Sequence, residues 1–472
     1  MAKLWSLALA LLISAGVWAA PAMAGPNDAA DIGDIDRGGG QMDVTSSTLG
    51  ESGLKFISDG FELRMSTRVQ FRLTAQNEVG NGENGTNGRD FINFRVVRAR
   101  TSFAGHIFEK EFRYGVQLEW AGSPLLRQAK FIWEVRQELN LSVGQDKLPW
   151  NFEEMVSSAS QNFADRSHVN QVFNQNYAKG IWINGKFGED TPFLKYWFGI
   201  YNGVLRANND FRNADAAQQA DSFSGLVDSE MMINLRLETH PMGDMPSKMY
   251  DDRGTDAHDK FLLMVGLGVN WLLSGFEDAG LRPDTAGTPT ASGRSRTSQD
   301  TLAITLDGHI RFMGLSVDIA FFMRHTEFHN RGANDFTPTD PARNGIANLT
   351  DSGITLEVGY FIIPQEFNVG VRANYTNADE FWSGGGDNKD LGIRPDVMEV
   401  GVVANYFIHG DNLKLTLDIT YVDQQLVYSG SSGGLIGVYN DVPGRSGTAG
   451  ANAENADHNG LWILRIQIQW IF

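Results

Sequence analysis

The sequence predicts an all-β fold, a 16-stranded antiparallel transmembrane β-barrel with an inward-folded loop after strand five. Two observations carry that expectation. Apolar and polar residues alternate strictly in run after run, the mark of strands with two different faces. The connections between the runs also alternate between long and short, as they do in up-and-down membrane barrels.

The closing run shows the first observation best. From Trp462 to Phe472 one face reads Trp462, Leu464, Ile466, Ile468, Trp470 and Phe472, and the other carries Arg465, Gln467 and Gln469. About 9 to 11 tilted residues span a bilayer as a β-strand. Aromatic residues near both ends of the apolar face suit two membrane interfaces. The same pattern marks residues 61–76, 91–106, 111–121, 125–136, 138–147, 177–188, 193–203, 229–240, 259–273, 300–312, 314–326, 352–363, 366–377, 396–408, 412–423 and 461–472. Within 91–106 the apolar phase switches after Val96, so a β-bulge near Val96–Val97 would turn Arg95, Arg98 and Arg100 all inward.

Met313-Gly314, Pro364-Gln365 and His409 to Asp411 read as tight turns. Segments 77–90, 148–176, 204–228, 274–299, 327–351, 378–395 and 424–460 are long and rich in turn residues. A soluble sandwich has no reason to gather its long loops at one end. Segment 241–258 breaks the rhythm, being long where a short turn is expected.

The N-terminus reads as an export signal over residues 1–24, with Lys3, an apolar stretch Leu4 to Val17, and Ala22-Met23-Ala24 before Gly25. Residues 25–60 then form a periplasmic N-terminal segment, and 61–472 the barrel. With 39 basic and 57 acidic residues the net charge is −18, which argues against nucleic-acid binding. Cysteine is absent, so no disulfide framework supports small domains.

A sixteen-strand barrel leaves an aqueous channel, so its lining is the functional surface. The inward positions of the first four strands hold Arg64, Arg68, Arg72, Arg95, Arg98, Arg100, Arg113, Lys130 and Arg136, a basic wall on one side of the lumen. Arginine suits that place because its planar fork grips carboxylate or phosphate. The plainer reading is that these groups pair with Glu62, Glu111, Glu119 and Glu134. Later strands carry inward basic residues about one apiece, at Arg236, Arg311, Arg324, Arg372, Lys414 and Arg465.

Segment 148–176 is too long for a simple loop and contains Trp150, Phe152, Phe163 and Phe173. Folded inward, it would place Glu153, Glu154, Asp165, Arg166 and His168 at a constriction, an acidic face opposite the basic wall. No HExxH, GxSxG or Walker A motif occurs, and nothing in the sequence calls for a cofactor or a metal.

The run Gly144-Gln145-Asp146-Lys147-Leu148-Pro149-Trp150 resembles the G-Q-x-K-x-P-[F/W] element of the phosphate-selective porin O/P family. Phe163-Ala164-Asp165-Arg166-Ser167, Phe198 to Gly203 and the arginine-rich Phe94 to Phe103 are similar to further elements of that family, in the same order. The resemblance implies a bacterial outer-membrane porin in contact with outer-membrane lipid, usually a homotrimer, passing small anionic or polar solutes. It implies that the terminal Phe472 is read by the outer-membrane assembly machinery. Phosphate or polyphosphate selectivity is implied as well, although the loops here depart from the family's pattern in being acidic and poor in Lys. The expected function is passive diffusion through an anion-biased channel. The alternatives are a plugged structural or adhesive barrel with ligand-binding extracellular loops, and a barrel-embedded hydrolase.

Overall fold

A computed structural model describes residues 43–45, 53–58, 60–79, 91–122, 124–174, 177–188, 192–201, 231–253, 261–273, 299–328, 349–377, 381–382, 391–392, 397–425 and 458–472. The export signal and most of the long loops lie outside these residues. In chain order the strands are β1 (Asp43–Thr45), β2 (Leu54–Ser58), β3 (Phe61–Val79), β4 (Phe91–Ile107), β5 (Glu109–Glu119), β6 (Leu125–Arg136), β7 (Leu139–Lys147), β8 (Tyr177–Phe187), β9 (Leu194–Tyr201) and β10 (Met231–Met242). There follow β11 (Leu262–Leu273), β12 (Gln299–Phe312), β13 (Leu315–Phe328), β14 (Leu349–Ile363), β15 (Phe367–Asn377), β16 (Phe381–Trp382), β17 (Leu391–Gly392), β18 (Val397–His409), β19 (Leu413–Gln425) and β20 (His458–Ile471).

Sixteen of these strands, β3 to β15 and β18 to β20, pair antiparallel with their neighbours around a ring that closes where β20 meets β3. Closure leaves the ring itself without a free edge among the described residues, which is the condition for a sheet to cross a membrane. At the seam Gln467 lies opposite Arg72 and Gln469 opposite Gln70, so the inward faces of first and last strand are continuous. The last pair is tied by Thr67 N–H to the Phe472 carbonyl at 2.6 Å and Phe472 N–H to the Thr67 carbonyl at 2.9 Å.

β3 runs past the end of β20, and β2 takes over its vacated edge with Lys55 opposite Arg64. Part of the segment before residue 61 is thus a strand added to the barrel wall. The expected bulge is present: Phe71 pairs with Val96 and Gln70 with Arg98, leaving Val97 as the extra residue. The tight turns are present too, with Met313 at φ 52° and Gly314 at φ 82°, the positive-φ pair that a two-residue hairpin requires.

The wall is inverted relative to a soluble protein. Its outer face is an exposed apolar belt that includes Phe94, Ile181, Leu306, Val402 and Trp462, a surface suited to lipid. Its inner face is buried and largely polar, with Arg236, Arg311, Thr305, Asp418 and Gln469 essentially inaccessible. Together with the 243–253 turn, what buries them is the chain between β7 and β8, residues 148–174. Two short helices form there, α1 (Phe152–Met155), capped by Asn151, and α2 (His168–Phe173), capped by Ser167. Trp150, Val169 and Phe173 of this loop pack with Trp182, Met232, Phe322 and Ile463 of the wall in one apolar cluster inside the barrel.

Irregular backbone at this depth needs partners for its carbonyls. Wall side chains supply them: Asn234 Nδ2 to Pro149 at 3.0 Å, Arg236 Nη1 to Trp150 at 2.9 Å, Arg324 Nη1 to Val172 at 3.0 Å, Asn405 Nδ2 to Asn162 at 3.0 Å and Lys414 Nζ to Ala159 at 2.8 Å. Gly268 is required at the closest approach. A Cβ there would stand 2.1 Å from the Trp150 carbonyl oxygen.

Candidate functional site

The basic residues of the lumen divide into two populations. On β10 to β20 each cation has a carboxylate on its own or the adjacent strand, or a carbonyl of the loop. Arg236 meets Asp307 at 2.5 Å, Arg311 meets Asp318 at 2.7 Å, Arg324 meets Asp351 at 2.8 Å, Arg372 meets Glu399 at 2.7 Å and Arg465 meets Asp418 at 3.0 Å. These groups are buried and form a neutral scaffold behind the loop. Buried charges tolerate that environment only when paired.

The wall of β3 to β6 differs. Arg68 and Arg72 of β3, with Gln70 between them, and Arg95, Arg98 and Arg100 of β4 share one inward patch, with Arg72 opposite Arg95 and Arg68 opposite Arg100. Arg72 binds Asp165 of the loop through both terminal nitrogens, at 2.5 and 2.9 Å. Arg98 reaches the same carboxylate at 3.4 Å, and Arg465 reaches it at 3.6 Å. Arg68 donates to the Ser157 hydroxyl at 2.7 Å. Arg100 has its own acid, Glu119, at 2.6 Å. Three guanidinium groups therefore converge on one carboxylate, and a fourth rests on a neutral hydroxyl.

The remaining members of the basic wall stand apart. Arg64, Arg113 and Arg136 are more than half exposed and pair with Glu62 at 2.5 Å, Glu134 at 2.8 Å and Glu138 at 3.8 Å. Lys130 pairs with Asp146 at 2.5 Å. The plainer expectation, arginines answered by neighbouring glutamates, thus describes Arg64, Arg100 and Arg113.

Within the loop, Asp165 alone of the three acidic candidates faces the arginine wall. Burial would raise its pKa, but Arg72, Arg465 and Arg98 together hold it well below the usual carboxylate range. Glu153 turns back into the loop, accepting from Ser167 N–H at 2.6 Å and Ser167 Oγ at 2.7 Å. Its pKa is raised, burial outweighing Arg372 and the Ser167 bonds. Glu154 pairs with Arg166 at 3.2 Å and accepts from Asn170 at 3.0 Å. Arg166 also donates to the carbonyls of Glu153 and Val156, at 3.0 and 2.8 Å. His168 is buried, and burial pushes its pKa down to about 4. These contacts close the loop on itself.

Sequence reasoning passed over two groups at this site. Lys147, quoted above only as part of a motif, ends β7 and donates to the carbonyls of Glu154 and Val156 at 2.7 and 3.1 Å. Ser157, the partner of Arg68, carries no signal in an isolated sequence. The motif's glycine has a steric cause: Gly144 sits at φ +129°, and a Cβ there would lie 2.1 Å from the Ala129 carbonyl oxygen.

Much of the region just described also falls within a match to a known family. Residues 67–224 match the family model of phosphate-selective porin O and P. The resemblance read from the sequence motifs holds over that stretch. With a closed sixteen-strand wall and an apolar belt outside it, this porin-type barrel is a bacterial outer-membrane channel for small solutes. No curated protein matches the chain. Among solved structures it is similar to the outer-membrane channel DcaP of Acinetobacter baumannii, with 10% identity, 89% of this chain and 100% of that one covered, and a TM-score of 0.45. OmpF of Salmonella typhi is similar over 89% of this chain and 100% of its own, at 10% identity and TM-score 0.49. For OmpT of Vibrio cholerae the figures are 88%, 99%, 10% and 0.44.

Proposed function

We propose that the channel is biased toward small anions, with phosphate among those it prefers, and that the solute path runs between the loop and the β3–β4 wall. The observation that carries this reading is the convergence of Arg72, Arg98 and Arg465 on the single carboxylate of Asp165, with Arg68 held by Ser157. Such a cluster keeps an excess of positive charge that neighbouring acids do not cancel, and a lining of one sign sets ion preference. Guanidinium forks that are not saturated by carboxylates can take a phosphate oxygen pair. Asp165 facing Arg72 and Arg98 also gives the path a transverse field. Glu153, Glu154, Arg166 and His168 serve by fixing the loop's shape. The porin resemblance further supports a homotrimer, which sedimentation in detergent would test.

Phosphate added to a chloride-filled channel tests the preference. At millimolar concentration it is expected to reduce chloride current in the native protein, and to lose that effect in Arg98→Gln. Chloride current indifferent to phosphate in the native channel contradicts the preference. The plugged-barrel alternative draws on one observation, the complete burial of inward residues from β10 to β20. A reconstituted protein with no conductance would favour it.

A further inference from the structure

The connection between β10 and β11 is long where a short turn was expected, and its described part, residues 243–253, turns back into the lumen. Met245, Met249, Tyr250 and Asp251 are buried there. Its backbone joins the inward loop directly: Met249 N–H donates to the Ser160 carbonyl at 3.0 Å, and Asn162 Nδ2 donates to the Met249 carbonyl at 2.9 Å. Met245 and Met249 pack with Phe152 and Val156 of the loop and with Leu262 and Met264 of β11. The wall fixes the turn in place, through Arg311 Nη2 to the Lys248 carbonyl at 2.8 Å and Gly314 N–H to Asp251 at 3.2 Å.

Asp411 gathers these elements at one carboxylate. It lies between β18 and β19, accepts from the Tyr250 hydroxyl, accepts from Ser160 Oγ at 3.0 Å and pairs with Lys248 at 3.4 Å. Its own carbonyl accepts from Gln469 Nε2 of the seam strand at 2.6 Å. The Tyr250 ring is seated edge-on against Phe361 and Phe407, with centroids 6.0 and 5.1 Å away.

The positions that receive this support are informative. Ser160 and Asn162 lie in the loop between Ser157, which holds Arg68, and Asp165, which holds Arg72 and Arg98. The arginine wall grips that limb on one side and the turn grips it on the other. A displacement at Ser160 therefore passes to both arginine contacts.

We propose that the 243–253 turn is a brace from the periplasmic end that sets how far the loop stands from the arginine wall, with Tyr250 and Asp411 as positioning residues for permeation. This rests on the channel reading above. A pore bounded by the loop on one side changes bore when the loop shifts, and loses selectivity as solute moves farther from the lining charge.

The experiment uses the full-length protein in planar bilayers, with heat-modifiable gel mobility as the check that the barrel has formed. Tyr250→Ala is expected to raise single-channel conductance by about half or more and to increase open-channel noise, because the brace loses its seated ring. Tyr250→Phe keeps the ring and loses the Asp411 bond, so noise rises with little change in conductance. The chain has no cysteine, so Ser160→Cys with Met249→Cys provides a clean disulfide link between loop and turn. Introduced into Tyr250→Ala, the oxidised link should return conductance to the native value, and reduction should release it again. Native conductance and noise in Tyr250→Ala, or a link that restores nothing, overturns the proposal. Backbone hydrogen exchange over 157–165 separates the two readings. Faster exchange in Tyr250→Ala is required by the brace, and unchanged exchange overturns it; a native protein that does not conduct overturns the channel reading alone.

Discussion

Asp165 is the residue at which the electrostatics of the site converge. It answers Arg72 at 2.5 Å, Arg98 at 3.4 Å and Arg465 at 3.6 Å. Asp165→Asn removes the carboxylate that the three share, leaving Asp418 to Arg465 alone, so anion preference should rise in a reversal-potential measurement while the loop, released from Arg72, becomes noisier. Unchanged selectivity would mean that solute passes elsewhere. The paired scaffold behind the loop behaves in the opposite way. Asp307→Ala strips Arg236 and His309 of a shared buried acid, at 2.5 and 2.9 Å, and should destabilise the barrel by about 3–5 kcal/mol, read by urea titration of the folded gel band. At this scale the sequence was legible in part. Alternation placed Arg68, Arg72, Arg98 and Arg100 on the inner face. It could not distinguish them from Arg236 or Arg324, because the distinction lies in which carboxylates strands one or two places away present.

The inward loop is held by different kinds of contact along its length, and pH separates them. His168 is buried and neutral, its pKa pushed down to about 4 by burial, with Glu399 opposing and Arg372 adding. A base held below its ordinary value of about 6.5 favours the docked loop fully above that value. That contribution is lost as pH falls from there to about 4, a change of about 3 kcal/mol. Asp165, held low, keeps its arginine bonds through the same window. Glu153, held high, runs the other way, its contribution being lost as pH rises. In a Glu153→Gln background the loop should therefore loosen between pH 6.5 and 4, seen as rising open-channel noise, and His168→Gln should flatten that dependence. Noise independent of pH before the second substitution would refute the assignment. Aromatic content marked 148–176 as a packing segment, and it does pack. The 243–253 turn was legible only as an anomaly of length, because Met245, Met249 and Tyr250 follow neither helical nor strand spacing.

The whole molecule was the most legible level. The sixteen runs found by period-two alternation are the sixteen strands of the ring, with ends displaced by a few residues, because one inner and one outer face suffice to specify a barrel strand. The seam formed as its faces require, with Gln467 and Gln469 bonded to Arg72 and Gln70 at 2.9 and 2.6 Å. Arg64 is the exception. It lies beyond the end of β20 and opposite Lys55, since β3 outlasts its partner. The filling of the lumen was less legible, because it is set by contacts between a loop and strands far apart in the chain. The reversal potential of a single channel in a potassium chloride gradient tests the central claim most directly. The native protein is predicted to favour chloride, and the triple variant Arg68→Gln, Arg98→Gln, Arg100→Gln to lose that preference. A cation-selective native channel, or a chloride preference untouched by the three substitutions, would contradict it.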